Sequence, residues 1–235
     1  MEDRLRDGRT EGVMASEAER EAFIRAETAV HAVPHAPEIR LHLADEAMDL
    51  WEKTEEELGA MGLPPPFWAF AWAGGQALAR YILDHPEIVA GRRAYDFAAG
   101  SGLVAIAAAK AGAAEVTASE IDAFALIAIR LNAELNGVTV AATGEDATAG
   151  DPPAADVLFC GDVFYEKPMA AKVLAFLDRA LEAGIAVYVG DPGRSYLPKE
   201  RLELAATYEV PVIRALEDAA VKKTSVFTLK RWPAK

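Results

Sequence analysis

Residues 96–105 read Asp96-Phe97-Ala98-Ala99-Gly100-Ser101-Gly102-Leu103-Val104-Ala105. Ala94–Ala98 is the short apolar run of a buried strand, and 101–111 has the small and aliphatic composition of a helix. Gly100 and Gly102 therefore stand at a strand-to-helix turn. Glycines there let a ligand approach the backbone, and the open amides of the helix start can donate to it. Eighteen residues after Gly102 stands Glu120, in Val116-Thr117-Ala118-Ser119-Glu120-Ile121-Asp122. An acid closing a second strand can accept hydrogen bonds from both hydroxyls of a ribose. Loop and acid together point to a nucleoside-containing cofactor.

Outward from this unit, strands alternate with helices. The pattern predicts strands at Ala94–Ala98, Val116–Glu120, Val138–Ala142, Val157–Cys160 and Ile185–Gly190. Helices are expected at 76–84, 101–111, 122–136 and 167–183. Such alternation implies parallel βαβ units. Downstream, Pro198–Ala206 is expected to be helical, and Tyr208–Arg214 and Ser225–Trp232 to pair through a short turn as an antiparallel hairpin. Lys222, Lys223, Lys230, Arg231 and Lys235 then read as a solvated edge strand. Upstream, Pro64-Pro65-Pro66 holds an extended segment before the aromatics Phe67, Trp68, Phe70 and Trp72. Of these, Trp72 is the candidate ligand contact and the others read as core. Ser16-Glu17-Ala18-Glu19 is a capping box opening a helix that carries Phe23, Ile24 and Val30 and ends near Pro34. Ile39, Leu41 and Leu43 alternate as a strand over 38–43. Residues 44–60 read as a helix whose Glu55-Glu56-Glu57 faces water.

Composition narrows the function classes. The chain has 235 residues, 52% hydrophobic and 26% charged, which excludes disorder for its bulk. Its one cysteine, Cys160, excludes an internal disulfide and fits a reducing compartment. Lys+Arg 24 against Asp+Glu 37 gives a net charge of −13. That sign argues against a nucleic-acid partner and suits a basic partner or a cationic ligand. No run approaches the ~18 apolar residues of a membrane span. The charged first residues lack the apolar stretch of a secretory signal. The expectation is a cytoplasmic monomer with no membrane or nucleic-acid partner. The four histidines show no metal-binding spacing, so no metal is expected.

Which cofactor the loop takes turns on Asp96. Gly100-x-Gly102-x-x-Ala105 satisfies the dinucleotide pattern, so NAD stays open. Asp96, at the end of the first strand, suits a cationic amino group better than a pyrophosphate. S-adenosylmethionine carries such a group and no phosphate. Asp146 and Ala147, after the third strand, can reach the exocyclic amine of adenine; a plain surface turn is the alternative for Asp146.

The loop Asp96–Gly102 resembles that of seven-strand class I methyltransferases. Further stretches resemble one subfamily, the electron-transfer-flavoprotein β-subunit lysine methyltransferases with a D-x-x-[FY] motif. These are Pro66-Phe67-Trp68-Ala69-Phe70-Ala71-Trp72-Ala73-Gly74-Gly75, Gly161-Asp162-Val163-Phe164-Tyr165 and Gly190-Asp191-Pro192-Gly193-Arg194. The resemblance spans about residues 37–232. It implies an α/β, Rossmann-like, seven-stranded and mostly parallel sheet, with helices on both faces and an antiparallel strand near the C-terminus. Residues 1–15 read from their polarity as a disordered tail, 16–60 are expected to form an N-terminal helical and strand extension, and 61–235 the methyltransferase domain. S-adenosylmethionine would be the cofactor, with Trp72 and Gly74 at its methionine end and Glu120 and Ile121 at its nucleoside. Asp162 and Tyr165 would face the substrate amine. The implied substrate is the electron transfer flavoprotein β subunit, with a ribosomal stalk protein as a second target. Ala98 departs from the family, which usually has glycine there. A positive φ at that position would strain alanine.

Methyl transfer to an amine is an in-line displacement, so the nucleophile must be held near the methyl carbon and unprotonated. A lysine arrives charged, with an unperturbed pKa of about 10.4. A carboxylate such as Asp162 can bind the ammonium and orient it, and the Tyr165 hydroxyl can direct the remaining hydrogens. The structural alternatives are a helix N-cap for Asp162 and core packing for Tyr165. Arg194 would touch the substrate or lie in a solvated turn. The Asn/Asp-Pro-Pro-Tyr signature of amide and base methylation is absent after the fourth strand; Asp151-Pro152-Pro153 precedes it and reads as a turn. The rival readings are a methyltransferase for a small or nicotinamide-like amine, an NAD-dependent oxidoreductase, and a non-catalytic cofactor-binding module.

Overall fold

The computed structural model describes residues 16–44 and 65–231. At its start the capping box forms as predicted: the Ser16 hydroxyl accepts the Glu19 N–H at 3.3 Å, and Glu19 accepts the Ser16 N–H at 2.7 Å. The helix α1 (Glu17–Glu27) stops well short of Pro34. Ala29–Val33 is instead a strand, β1, paired antiparallel with β2 (Ala36–Leu43). Ladder hydrogen bonds between the two runs decide the conformation, where composition alone read as helix. The expected tail at 1–15, all but the first residue of the helix expected at 44–60, Pro64 and the last residues 232–235 lie outside the described residues.

The main sheet follows the predicted alternation. Its elements are α2 (Ala73–Asp84), β3 (Arg93–Phe97), α3 (Leu103–Lys110), β4 (Glu115–Ser119), α4 (Ala123–Leu135) and β5 (Ala141–Thr143). There follow β6 (Val157–Gly161), α5 (Lys167–Glu182), β7 (Ala186–Asp191), β8 (Leu202–Pro211), α6 (Arg214–Glu217) and β9 (Val221–Leu229). The seven strands run in the order β5-β4-β3-β6-β7-β9-β8. β3 to β7 are parallel, and β9 is antiparallel to both neighbours.

Two features of the C-terminal end differ from expectation. Pro198–Ala206 is not helical beyond a single turn at Lys199–Arg201; β8 begins at Leu202 and pairs with β9 from Leu202↔Leu229 to Pro211↔Val221. That ladder overrides the helix-favouring composition of 202–206. The link to β9, residues 212–220, also contains α6 and is no short turn. The basic strand β9 is consequently an inner strand, and β8 forms the edge.

Helices cover both faces, which is why the central strand β6, Val157-Leu158-Phe159-Cys160-Gly161, is apolar throughout. Leu78, Ile82, Ile106 and Ile129 pack on one face of the sheet. Val173, Phe176 and Leu177 of α5 pack on the other, against Leu158 and Val187. Each of these buried side chains contributes ~2 kcal/mol of transfer free energy. The strand order reverses direction between β3 and β6, and the crevice at such a switch point opens at the carboxyl ends of the strands. The N-terminal segment reinforces one wall of that crevice: Ile24 and Ala44 are buried with Trp68, Phe124 and Ala128.

Candidate active site

The carboxyl ends of β3, β4 and β6 open into a cavity of about 670 Å³. That size suits a cofactor-sized ligand. Of the predicted site residues, Trp72, Asp96, Ala98, Gly100, Glu120, Ile121, Asp146, Ala147, Asp162 and Tyr165 all line it. Gly74 and Gly102 do not.

The glycine loop is shaped by left-handed backbone at Ala98 (φ 53°), Gly100 (φ 51°) and Gly102 (φ 79°). Ala98 therefore carries the strain foreseen for it, about 1 kcal/mol. At Gly100, a Cβ would meet nothing closer than 4.0 Å, leaving room for a ligand to approach. Gly102 instead caps α3, where a Cβ would press on the Ile129 side chain at 3.2 Å. Asp96 is buried, and its Oδ2 accepts the Ala105 N–H at 2.9 Å. Burial pushes its carboxyl up to about 8, helped by the nearby Glu120 charge. Glu120 is itself fixed: one oxygen accepts the Gly100 N–H at 3.0 Å and the other the Ile121 N–H at 2.8 Å. Ile121 stands 72% exposed beside it and offers an apolar surface to the cavity. Asp146 is exposed, and two bonds from Thr148 hold its carboxyl below the usual range.

Aromatic residues and one carboxylate form the other end. The Trp72 indole N–H donates to the Phe67 carbonyl at 2.9 Å. The Phe67 ring lies 5.8 Å from Trp72 and 6.0 Å from Tyr165. Phe67 thus faces the cavity, contrary to its reading as core, because it sits in a one-turn 3-10 segment whose next two residues, Trp68 and Ala69, take the interior. Tyr165 is 45% exposed, which rules out core packing.

Asp162 adopts φ 57° and points back across the sheet end. Its Oδ2 accepts the N–H groups of Gly74 at 2.6 Å and Gly75 at 3.2 Å. Its Oδ1 accepts from Arg194 Nε at 3.1 Å and Nη2 at 2.7 Å. Asp162 therefore sits at the N-terminus of α2, not of α5, whose N-cap is Glu166. Burial pushes its carboxyl up to about 6, with Arg194 opposing. Gly74 acts from beneath the wall: a Cβ on it would lie 2.2 Å from the Gly190 carbonyl oxygen. Arg194 lines the cavity and turns its donors inward, away from the solvated turn that was the alternative. It bridges Asp162 to the buried Glu217 and stands 5.8 Å over the Trp72 ring.

Asn132 escaped the sequence reading. It is fully buried in α4, accepts the His42 N–H at 2.8 Å and donates to the Ser101 carbonyl at 2.8 Å. One amide thus ties the N-terminal hairpin to the cofactor loop. The available signal was a polar residue on the apolar face of a helix.

A cavity with a buried carboxyl at the end of β3, a fixed acid at the end of β4 and an aromatic-lined carboxylate at the end of β6 has the donor set for a nucleoside carrying a cationic amino acid. The residues fit S-adenosylmethionine. The family model of the ribosomal protein L11 methyltransferases matches residues 77–161. A Xenopus laevis protein named electron transfer flavoprotein beta subunit lysine methyltransferase is 36% identical over 201 residues, 85% of this chain and 76% of its own. The chain belongs to that family. It is an S-adenosylmethionine-dependent protein-lysine N-methyltransferase. The zebrafish protein of the same name is 38% identical over 68% of this chain, and the match spans 61% of the zebrafish protein. A solved Thermoplasma acidophilum structure shares the fold, with a TM-score of 0.52 at 20% identity, covering 68% of this chain and 91% of that one. Among the described residues, no helix is long and apolar enough to cross a membrane.

Proposed function

We propose that the enzyme methylates a lysine ε-amine of the electron transfer flavoprotein β subunit, with Asp162 and Tyr165 orienting the amine. The carrying observation is the placement of Asp162 and Tyr165 in one cavity with Asp96 and Glu120. The family membership supports the protein substrate. The net charge of −13 suits a lysine-bearing surface approaching under electrostatic attraction.

When bound, S-adenosylmethionine supplies an electrophilic methyl group on a sulfonium. Asp96 would hold the amino group of its methionine end, beside Trp72 and Ala98. Glu120 would take the ribose hydroxyls, with Ile121, Asp146 and Ala147 around the base and Gly100 giving close approach. Gly74 and Gly102 support this arrangement through the backbone. At the acceptor end, the ring edges of Phe67, Trp72 and Tyr165 form a channel that suits the lysine methylenes. Four donors already hold the Asp162 carboxylate, and at about 6 it binds a proton far more weakly than a lysine amine at about 10.4, so it is no strong base toward the substrate. It orients the amine, the Tyr165 oxygen accepts a second N–H, and the proton is lost to water before transfer. The chain is proposed to act as a monomer, with residues 16–60 as an extension beside a methyltransferase domain at 61–235.

The test is methylation of the purified β subunit by the native chain and by Tyr165→Phe. Transfer by the native chain and a several-fold lower kcat for the variant are expected. A β subunit left unmodified by cofactor-competent enzyme overturns the assignment.

A further inference from the structure

We propose that Arg194 is a positioning residue for methyl transfer: gripped by Glu217, and through it by Lys222 of β9, it fixes the Asp162 carboxylate at the acceptor end of the cavity. The inference rests on the reading of Asp162 as the group that orients the amine.

Four charged side chains form a continuous line from the C-terminal hairpin to the cavity wall. Lys222 Nζ lies 2.7 Å from Glu217 Oε2, and Glu217 Oε1 lies 2.7 Å from Arg194 Nη2. The same Nη2 lies 2.7 Å from Asp162 Oδ1. The inner three members of the line are shielded from water, with Glu217 3% exposed, Asp162 12% and Arg194 19%, while Lys222 at the outer end is 29% exposed. A carboxylate as deep as Glu217 is costly unless paired, and here it has a cation on each side. Asp191, also buried, steadies the backbone under Arg194. Its Oδ1 accepts the N–H groups of Gly193 and Arg194, both at 2.6 Å.

Stitching the hairpin to the sheet would need only the Glu217 half of this arrangement. Arg194 instead turns two of its donors, Nε and Nη2, onto Asp162. Both donors of the planar fork meet the same oxygen, Oδ1, and pin it with two N–H groups in fixed geometry, which the point charge of a lysine ammonium would not supply. Asp162 needs such fixing, because its left-handed φ of 57° is a conformation that persists only when its surroundings impose it. The opposite oxygen is held by the amides that open α2. The guanidinium also covers the Trp72 ring, so one side chain braces both the carboxylate and the aromatic wall. The charged groups facing Asp162 are Arg194, which favours its ionised form, and Asp191 and Glu217, which oppose it.

The experiment compares the native full-length chain with Arg194→Gln and Arg194→Lys by two readouts. The first is a carbon-detected NMR titration of the Asp162 side-chain carboxyl, which needs no substrate. Loss of the guanidinium in Arg194→Gln should raise the midpoint by about one pH unit or more, and Arg194→Lys should recover most of that shift. The second is steady-state transfer to the β subunit alongside S-adenosylhomocysteine affinity. Arg194→Gln should lower kcat about tenfold or more with S-adenosylhomocysteine affinity kept, and Arg194→Lys, which restores charge without the fork, should recover only part of kcat. Should Arg194→Gln fail to fold, Arg194→Lys carries the test, with a several-fold loss of kcat expected. An unmoved midpoint, or a native kcat in a folded variant, overturns the proposal. A native chain that leaves the β subunit unmodified overturns the substrate reading instead, and the carboxyl titration still decides the role of Arg194.

Discussion

The carboxylate of Asp162 accepts the N–H of Gly74 at 2.6 Å, although 88 residues separate them in the chain. The contact exists because Gly74 has no side chain to keep α2 away from the sheet. A Cβ there would stand 2.2 Å from the Gly190 carbonyl oxygen and 2.6 Å from Asp162 Oδ2. Gly74→Ala should therefore destabilise the fold by about 3 kcal/mol or more, through overpacking against backbone that cannot yield. Denaturant unfolding checks this. A variant with native stability and selectively lost cofactor affinity would show that Gly74 is a ligand contact after all.

Asp96 gives a pH-dependent prediction. Its folded carboxyl titrates near 8, above the ~3.9 of an unfolded chain, because burial disfavours its charge. The folded state binds the extra proton, so this group's contribution to stability is full below pH ~4 and is lost as the pH rises toward 8. Asp96→Asn removes the titration and should raise stability at pH 8 by more than about 1 kcal/mol, with little effect near pH 4. The same variant should lose S-adenosylhomocysteine affinity at least about tenfold, since a cationic amino group loses its counter-charge. Melting curves at the two pH values and calorimetric titration read both effects. Equal gains at both pH values would point to some other cause.

Ala98 occupies left-handed backbone where the family usually has glycine. Ala98→Gly should relieve that strain and stabilise the protein by ~0.5–1 kcal/mol, a rise of about 2 °C in Tm. Affinity for S-adenosylhomocysteine should stay within a small factor. A lower Tm for the variant would mean that the methyl group's packing outweighs the strain.

Asn132 holds the His42 N–H and the Ser101 carbonyl at once. Asn132→Ala strands both groups in the interior and should cost about 2–4 kcal/mol. Because Ser101 belongs to the cofactor loop, cofactor affinity should fall as well. Hydrogen exchange of the His42 amide, slow in the native chain and fast in the variant, locates the effect. Unchanged exchange would contradict the bridge.

Much of this was legible in the sequence, for identifiable reasons. Short apolar strands bounded by glycine and polar residues, with helices between them, announce a parallel sheet. The loop at Gly100, the acid at Glu120 and the exit at Asp162 to Tyr165 are local patterns at strand ends, and the structure gathers them around one cavity. Two segments were misread because pairing partners outweigh local preference. Ala29–Val33 looks helical until β2 is laid beside it, and 202–206 until β9 is. What could not be read are contacts between distant positions: Gly74 against Gly190, Asn132 between hairpin and loop, and the turn of Arg194 toward Asp162 and Glu217. No spacing encodes these, since each depends on how the sheet brings remote ends together.

The most direct test of the central claim is mass spectrometry of purified electron transfer flavoprotein β subunit after incubation with the native chain and S-adenosylmethionine. A mass increase by whole methyl groups is expected, located on lysine and absent when the cofactor is withheld. A β subunit that gains no methyl group from enzyme shown to bind S-adenosylhomocysteine would contradict it.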